Sequence, residues 1–466
     1  MSATNSTPAY EPPPNGFRTF VIVWATQSIS VLGSALTFFA TTIWLTQVLY
    51  PRPEDKPQLA LALSAVALVF ALPTVFAAPL AGAWADRHDR KQTMMAMDFA
   101  NGVVSLVIAL LILTNVMQLW MLLALTVVYS LLGAFHNSAF DTSYAMLVPE
   151  AQLPRANGMM QTIWSLSGIV SPAIAAMLIS LPQLARQGLI PGGAGGWLAG
   201  IRDGSPLAIG MDGVTFFLAA ATLIFLYIPS PKRTDLHAES GKGKSIWADI
   251  KEGGLYIWHR RPLLWLLGTF TVANLVSSPI GIFVPLMLKF NLQPDWAARG
   301  FTFETALALM SSIGAVGGVA GGFLISAWGG LKKKRVYGVL GGMIVAGLAQ
   351  IIFGFSPLFF LTAAMMGVLE GMTPVMNAHS QAIWQTQTPR ELQGRVFAVR
   401  RVIAQFTWPL STAVAGWVAG VFNPGTVVAI LGVVLVVFCV AQLFNPYLLR
   451  VEDKEWLDAR AVALGE

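Results

Sequence analysis

The stretch Gly82-Ala-Trp-Ala-Asp-Arg-His-Asp-Arg-Lys91 is a short, strongly charged hinge between two long apolar runs, residues 58–85 and 92–115. Each run exceeds the ~20 residues that an α-helix needs to cross ~30 Å of hydrocarbon. Two residues would be enough to reverse the chain, yet Asp86, Arg87, Asp89, Arg90 and Lys91 crowd this turn. Charges gathered at a membrane face orient the protein, lock helices together or contact lipid.

The rest of the chain has the same character. Its 466 residues are 55% hydrophobic and only 11% charged, whereas soluble domains carry about 25% charged residues. This is the composition of an all-α integral membrane protein. Apolar runs between charged or Pro/Gly breaks predict twelve transmembrane helices. The first six lie at 18–48, 58–85, 92–115, 117–144, 157–182 and 207–229. The second six lie at 262–290, 302–328, 335–354, 357–385, 396–422 and 425–448. Domains follow: a disordered tail over 1–16, a six-helix bundle over 17–229, a polar central loop over 230–261, a second bundle over 262–449 and a tail over 450–466.

Only Arg52, Lys56, Arg186, Arg202, Lys289 and Arg299 fall on one face of this topology; the other 23 of the 29 Lys and Arg fall on the opposite face. Because basic residues accumulate on the cytoplasmic side, both termini are expected in the cytoplasm of a cell (bacterial inner-type) membrane. The sequon Asn5-Ser-Thr7 then has no use. The net charge of +6 comes with no basic, aromatic-interleaved module, so nucleic acid is excluded as a partner. Cys439 is the one cysteine and reads as packed or lipid-facing filler.

The halves repeat. Asn137, Pro149 and Arg155 recur as Asn377, Pro389 and Arg395, and Ala83-Trp84 with Arg90-Lys91 recurs as Ala327-Trp328 with Lys334-Arg335. Six spans repeated in one orientation make a parallel pseudo-repeat of two six-helix bundles. In the central loop, Ile246, Trp247, Ile250, Ile257 and Trp258 among Lys251, Arg260 and Arg261 predict an amphipathic helix on the cytoplasmic lipid surface. The glycine-rich segment 183–206 reads as a mobile external loop.

These features resemble the major facilitator superfamily. Gly82-x-x-x-Asp86-Arg87-x-x-Arg90-Lys91 matches its loop signature between spans two and three. Leu147-Val-Pro-Glu-Ala-Gln-Leu-Pro-Arg-Ala-Asn157, with Gln161, Thr388-Pro-Arg-Glu-Leu-Gln-Gly-Arg-Val396 and Trp408-Pro-Leu, is similar to the macrolide-efflux and siderophore-export branch of drug:proton antiporters. The likeness runs over nearly all of 15–450. Span five departs from the antiporter motif, with Gly168-Ile-Val-Ser171-Pro172 where a Gly-Pro pair is usual; its small residues still suit tight helix packing.

The resemblance implies a twelve-helix secondary transporter working by alternating access, with no enzymatic activity and no cofactor, acting as a monomer. It implies a conformational latch from Gly82, Asp86, Arg87, Arg90, Lys91 and Asp141. Within it Gly82 lets helices approach, Asp86 meets the N-terminal end of span eleven, and Arg90 pairs with Asp141. In the second copy Gly330 stands where Asp86 does, so the latch is one-sided. Spans one, four, seven and ten should line the cavity, and polar stripes lie on them at helical spacing: Gln27, Ser30 and Ser34; Asn274 and Ser277; Thr373 and Asn377; with Asn137 and His379 as further candidates.

Glu370 lies thirteen residues into span ten with no adjacent cation. An ionised carboxylate in hydrocarbon is costly, which makes Glu370 the first candidate for proton coupling or for binding a cationic substrate. His136 and Asp98 are further coupling candidates, while Asp212 and Glu304 read as solvated, near outer span ends. Gly314, Gly318 and Gly322 form a double GxxxG for close helix packing. No metal site, nucleotide loop or nucleophile motif is present in the sequence. The expected function is export of an amphipathic or hydrophobic compound in exchange for protons, in contact with membrane lipids. The alternatives are a lysophospholipid-type flippase or importer and, remotely, a receptor.

Overall fold

A computed structural model of the chain describes residues 13–149, 152–229, 246–453 and 456. Most of the expected N-terminal tail, with its sequon, lies outside the described residues, as do most of the central loop before residue 246 and the end of the C-terminal tail. The regular structure of the described residues is helical throughout.

In chain order the helices are α1 (Gly16–Ile43), α2 (Lys56–Arg87), α3 (Arg90–Leu113), α4 (Leu119–Leu147), α5 (Leu153–Arg186), α6 (Gly192–Gly200), α7 (Ser205–Ile224) and α8 (Ile246–His259). They continue as α9 (Arg261–Ser277), α10 (Ile280–Phe290), α11 (Gln293–Ala298), α12 (Phe303–Trp328), α13 (Arg335–Phe355), α14 (Phe359–Gln387), α15 (Arg390–Val421), α16 (Pro424–Gln442) and α17 (Pro446–Leu449). A π-helical turn, Trp44–Leu49, prolongs α1. α9 and α10 form one span broken at Ser278-Pro279, as a ring that lacks an N–H and fills the preceding turn requires.

Eleven stretches of the described residues are long and apolar enough to cross a membrane. α15 is the twelfth long helix, with 32 residues, and carries Arg390, Arg395, Arg400 and Arg401 in its N-terminal part. Asp89 caps α3 by accepting from the Gln92 amide at 2.8 Å, which is how the charged hinge restarts a helix at once.

The chain divides into two compact units, whose boundaries differ from the expected bundles. One contains Met1–Thr41 and Val69–Gly241; the other contains Thr42–Leu68 and Lys242–Glu466. The adjoining ends of α1 and α2 therefore belong with the C-terminal half. Within that second unit Lys289 Nζ donates to the carbonyls of Thr46 and Tyr50, each at 2.6 Å. Lys56 Nζ donates to the Phe422 carbonyl at 2.7 Å, and the Ser64 hydroxyl donates to the Thr412 carbonyl.

In the first unit α3 packs along α7 and α4. In the second, α14 packs against α12 and α13, and α13 against α16. Backbone-to-backbone approach of α12 to α14 runs through Gly317 and Gly321. Of the expected glycines, Gly314 faces the Met366 and Glu370 side chains of α14, 3.1 and 3.6 Å from a would-be Cβ, and Gly318 only the Glu370 carbonyl at 3.9 Å. A Cβ on Gly317 or Gly321 would run into the carbonyls of Gly367 and Gly371, whereas Gly322 has nothing within 4 Å. The neighbouring register of the same glycine-rich face is the packed one.

Segment 183–206 is not a loose loop. α5 extends to Arg186, α6 follows, and Arg186 Nη1 donates to the Ile201 carbonyl at 2.9 Å. α8 is amphipathic as expected, but one face of it docks on protein. Tyr256 OH donates to the Gln387 carbonyl at 2.7 Å, Glu252 pairs with Arg395 at 2.7 Å, and Ile257 is buried. Trp258, 67% exposed, stays outward. Cys439 is packed in the core beside Met343.

Candidate functional site

The polar residues expected to line a cavity on span one turn out to face the interior of the first unit. Gln27 and Ser30 are buried. Gln27 Nε2 donates to Asp98 Oδ2 at 2.9 Å. Asp98, itself 0% exposed, places Oδ1 2.9 Å from Nδ1 of buried His136. Residues from α1, α3 and α4 thus meet at one carboxylate. A carboxylate oxygen and an imidazole nitrogen at this distance can share one proton, and Gln27 supplies a donor to the other carboxylate oxygen. Two of the coupling candidates are therefore partners of each other.

A second buried carboxylate lies in the same unit. Asp212 on α7 is 0% exposed, which corrects the expectation that it is solvated. It sits well inside α7, which already begins at Ser205. Thr37 Oγ1 donates to its Oδ2 at 2.7 Å and Ser105 Oγ at 3.0 Å. Tyr129 OH lies 3.3 Å from the same oxygen and donates to Ser34 Oγ at 2.7 Å; Ser34 Oγ is 3.4 Å from Oδ1. No Lys, Arg or His is among these described partners. Ser105, Tyr129 and Thr37 carry no separate signal in the sequence, because single hydroxyls on apolar spans are common.

Glu370 is different. It is half-buried on α14, its Cγ lying 3.6 Å from the place a Cβ on Gly314 would take, and it has no hydrogen-bond or ion-pair partner among the described residues. Thr373 and Asn377, further along α14, are exposed, as is Asn137 on α4; Asn274 and Ser277 are half-buried beside the α9–α10 break. Gly168 is half-buried and Pro172 buried within α5, where Ser171 Oγ donates to the Leu32 carbonyl at 3.0 Å and ties α5 to α1.

His379 is not a cavity residue. Nδ1 lies 2.8 Å from the Val375 carbonyl, the Leu331 amide donates to Nε2 at 2.9 Å, and the ring is buried. It braces the turn between α12 and α13. Gly330 in that turn has φ +70° and would place a Cβ 2.9 Å from His379 Nε2. That is why glycine stands where the first copy has Asp86.

At the first hinge Asp86 and Arg87 are exposed and Arg90 is buried. Arg90 donates to the carbonyls of Ala85 at 3.4 Å and Thr142 at 3.0 Å. It thus holds α4 by the backbone one residue beyond Asp141, whose side chain is exposed. Lys91 Nζ donates to the Ile224 carbonyl at 2.9 Å, at the C-terminal end of α7, where a cation also suits the helix dipole. Gly82 has nothing within 4 Å of a would-be Cβ, so close packing is not its role here.

The Major Facilitator Superfamily model matches residues 23–412. The chain belongs to the major facilitator superfamily. It is a multi-pass membrane transporter, and the superfamily is not one of enzymes. Macrolide efflux protein A of Streptococcus pyogenes is 26% identical over 395 residues, covering 84% of this chain and 87% of the relative. Multidrug efflux pump Tap of Mycolicibacterium fortuitum is 25% identical over 401 residues, covering 84% and 88%. Among solved structures, a mutant form of the nucleoside transporter NupG has a TM-score of 0.64 at 15% identity, covering 91% of this chain and 98% of that one. A bacterial homologue of the human lysosomal transporter Spinster has a TM-score of 0.62 at 14% identity, covering 95% and 98%. These two structures share the fold.

Proposed function

We propose that this transporter exports amphipathic or hydrophobic small molecules across a bacterial cell membrane in exchange for protons, by alternating access and with both termini in the cytoplasm. The Asp98–His136 pair is its proton-loading site. The observation that carries this is the pair itself: a buried carboxylate 2.9 Å from a buried imidazole, with Gln27 on the other oxygen. A buried charge without a partner is costly, so the pair stays balanced only by keeping or exchanging a proton. The relatives named for macrolide and multidrug efflux support the direction and the substrate class.

Glu370 has the opposite setting, bare and half-buried. It suits a substrate-facing counter-charge for cationic amphiphiles, with apolar burial supplying most of the affinity. The latch at Asp86, Arg87, Arg90, Lys91 and Asp141 belongs to the same proposal, as the charged hinge that changes partners during the cycle.

The test uses everted vesicles from an efflux-deficient host, a preset pH gradient and a panel of macrolides, cationic dyes, siderophores and lysolipids. Compound-dependent collapse of the gradient is expected in the wild type and lost in Asp98→Asn. Glu370→Gln should raise the concentration needed for cationic compounds while leaving neutral ones unchanged. If labelled compound moves but no compound collapses the gradient, antiport is wrong and a uniporter or lysophospholipid flippase takes its place.

A further inference from the structure

The two buried carboxylates of the first unit stand in register. Gln27 and Ser34 on α1 are seven residues apart, as are Asp98 and Ser105 on α3 and His136 and Tyr129 on α4. The first of each pair belongs to the Asp98 cluster and the second to the Asp212 cluster. Seven residues are about two helical turns, roughly 10 Å along the axis. Three helices therefore carry the same two polar levels, one above the other, with α7 supplying the second acid.

Between the levels, Ser30 and Asn101 follow Gln27 and Asp98 by three residues and precede Ser34 and Ser105 by four. They share the inward faces of α1 and α3 and are 3% and 2% exposed. The Asn101 Oδ1 has no hydrogen-bond partner among the described residues. A buried amide oxygen without a partner is uncommon and calls for one. The Asn101 amide offers both a donor and an acceptor to a bridging water, and Ser30 stands at the same level of α1.

We propose that Asp212 is a second proton-holding site, joined to Asp98 and His136 by a path along α3 past Asn101 and Ser105. The proposal rests on the proton-exchange reading above. The transfer balances at every atom. The O–H bond at Asp98 breaks and its proton passes to the water held at the level of Asn101 and Ser30. That water passes a proton to Ser105 Oγ, and Ser105 gives its own proton to Asp212 Oδ2, 3.0 Å away. No hydroxyl is left charged, and one negative charge moves from Asp212 to Asp98.

The groups facing each end are few. Asp212 meets Ser34 and Thr37 from α1, Ser105 from α3 and Tyr129 from α4, of which only Tyr129 titrates. From α5, the described contact with the start of α7 is one of backbone, the Ile179 carbonyl against Gly204, and brings no titratable group. Asp98 meets Gln27 and His136, and His136 in turn reaches the Met94 carbonyl and feels Asp141. The oxygens around Asp212 alone would also suit a small monovalent cation, but the shared register with an imidazole-bearing acid favours the proton.

The purified full chain in proteoliposomes decides it, with a cationic dye that collapses the gradient in vesicles as substrate and an internal pH indicator. Two rates are read: dye accumulation driven by a pH gradient, and dye counterflow with no gradient. Asp212→Asn and Asn101→Leu should each slow gradient-driven accumulation at least tenfold while counterflow continues. Asn101→Leu leaves both carboxylates in place and decides alone if Asp212→Asn does not accumulate in the membrane. Gradient-driven accumulation at the wild-type rate in Asn101→Leu overturns the path, and so does loss of both rates together, which is the signature of a structural brace. Accumulation in the wild type that follows a sodium gradient instead of pH overturns it in favour of a cation site. Absence of proton movement in the wild type is a different failure, that of the exchange reading itself.

Discussion

Both ring nitrogens of His379 are engaged, one with the Val375 carbonyl and one with the Leu331 amide. His379→Ala should therefore cost stability rather than transport, about 1–3 kcal/mol from the backbone amide left unpaired. Thermal unfolding in detergent measures the first, and dye efflux at a temperature where the variant is folded measures the second. Asp295 gives a pH prediction. Its carboxylate is held below the ordinary range, first by the Arg299 hydrogen bonds and then by the Phe359 amide. A group depressed in the folded state contributes stability above its unfolded value and loses that contribution as pH falls through the folded one. The tie from α11 to the start of α14 is thus intact at neutral pH and fades below about pH 4. Exchange of the Phe359 amide, measured against pH, should accelerate there relative to its neighbours and show no such step in Asp295→Asn. Single residues such as these are the hardest to place from sequence. A lone His in a span looks the same whether it faces a cavity or braces a turn; only the partners brought in from α12 and its following turn distinguish them. Asp212 escapes a sequence reading for a related reason: the extended α5 and the ordered 186–204 connection set where α7 begins, and no local pattern marks that.

At the scale of elements, helix length and apolarity were legible because hydrocarbon thickness imposes them. The charged hinge was legible because nothing else stops a span so sharply. Register was not. The Gly314, Gly318 and Gly322 stripe and its neighbour at Gly317 and Gly321 are both glycine-rich, and the choice depends on which face α14 presents. Gly321→Val should accordingly prevent stable packing of α12 on α14, seen as loss of folded protein. Gly322→Val, with nothing within 4 Å, should change stability by less than about 1 kcal/mol. The docking of α8 was legible only in part. Its amphipathic pattern shows an apolar face, but both lipid and protein satisfy such a face. Because the Glu252–Arg395 pair is about a third exposed on each side, breaking it should cost no more than about 1 kcal/mol. Tyr256→Phe, which removes the bond to the Gln387 carbonyl, should cost about as much. Proteolytic nicking near residue 245 would report either loosening.

For the whole molecule, the six-plus-six spans and the charged hinge, through their resemblance to the major facilitator superfamily, pointed to a transporter before any side chain was placed. The chemistry was partly legible: Asp98, His136 and Glu370 stand out as ionisable groups in apolar spans. Their relationship did not, because the seven-residue spacing on three helices means something only once those helices are adjacent. In the proposed function, a networked acid pair in one unit carries the proton and a bare acid in the other faces the substrate. Substrate-driven proton movement tests this most directly. Proteoliposomes are loaded with substrate, diluted without any imposed pH gradient, and followed with an internal pH dye. Exchange predicts that substrate leaving the liposomes draws protons inward, and that Asp98→Asn abolishes the acidification while substrate still leaves. Substrate efflux from wild-type protein with no change in internal pH would contradict proton exchange outright.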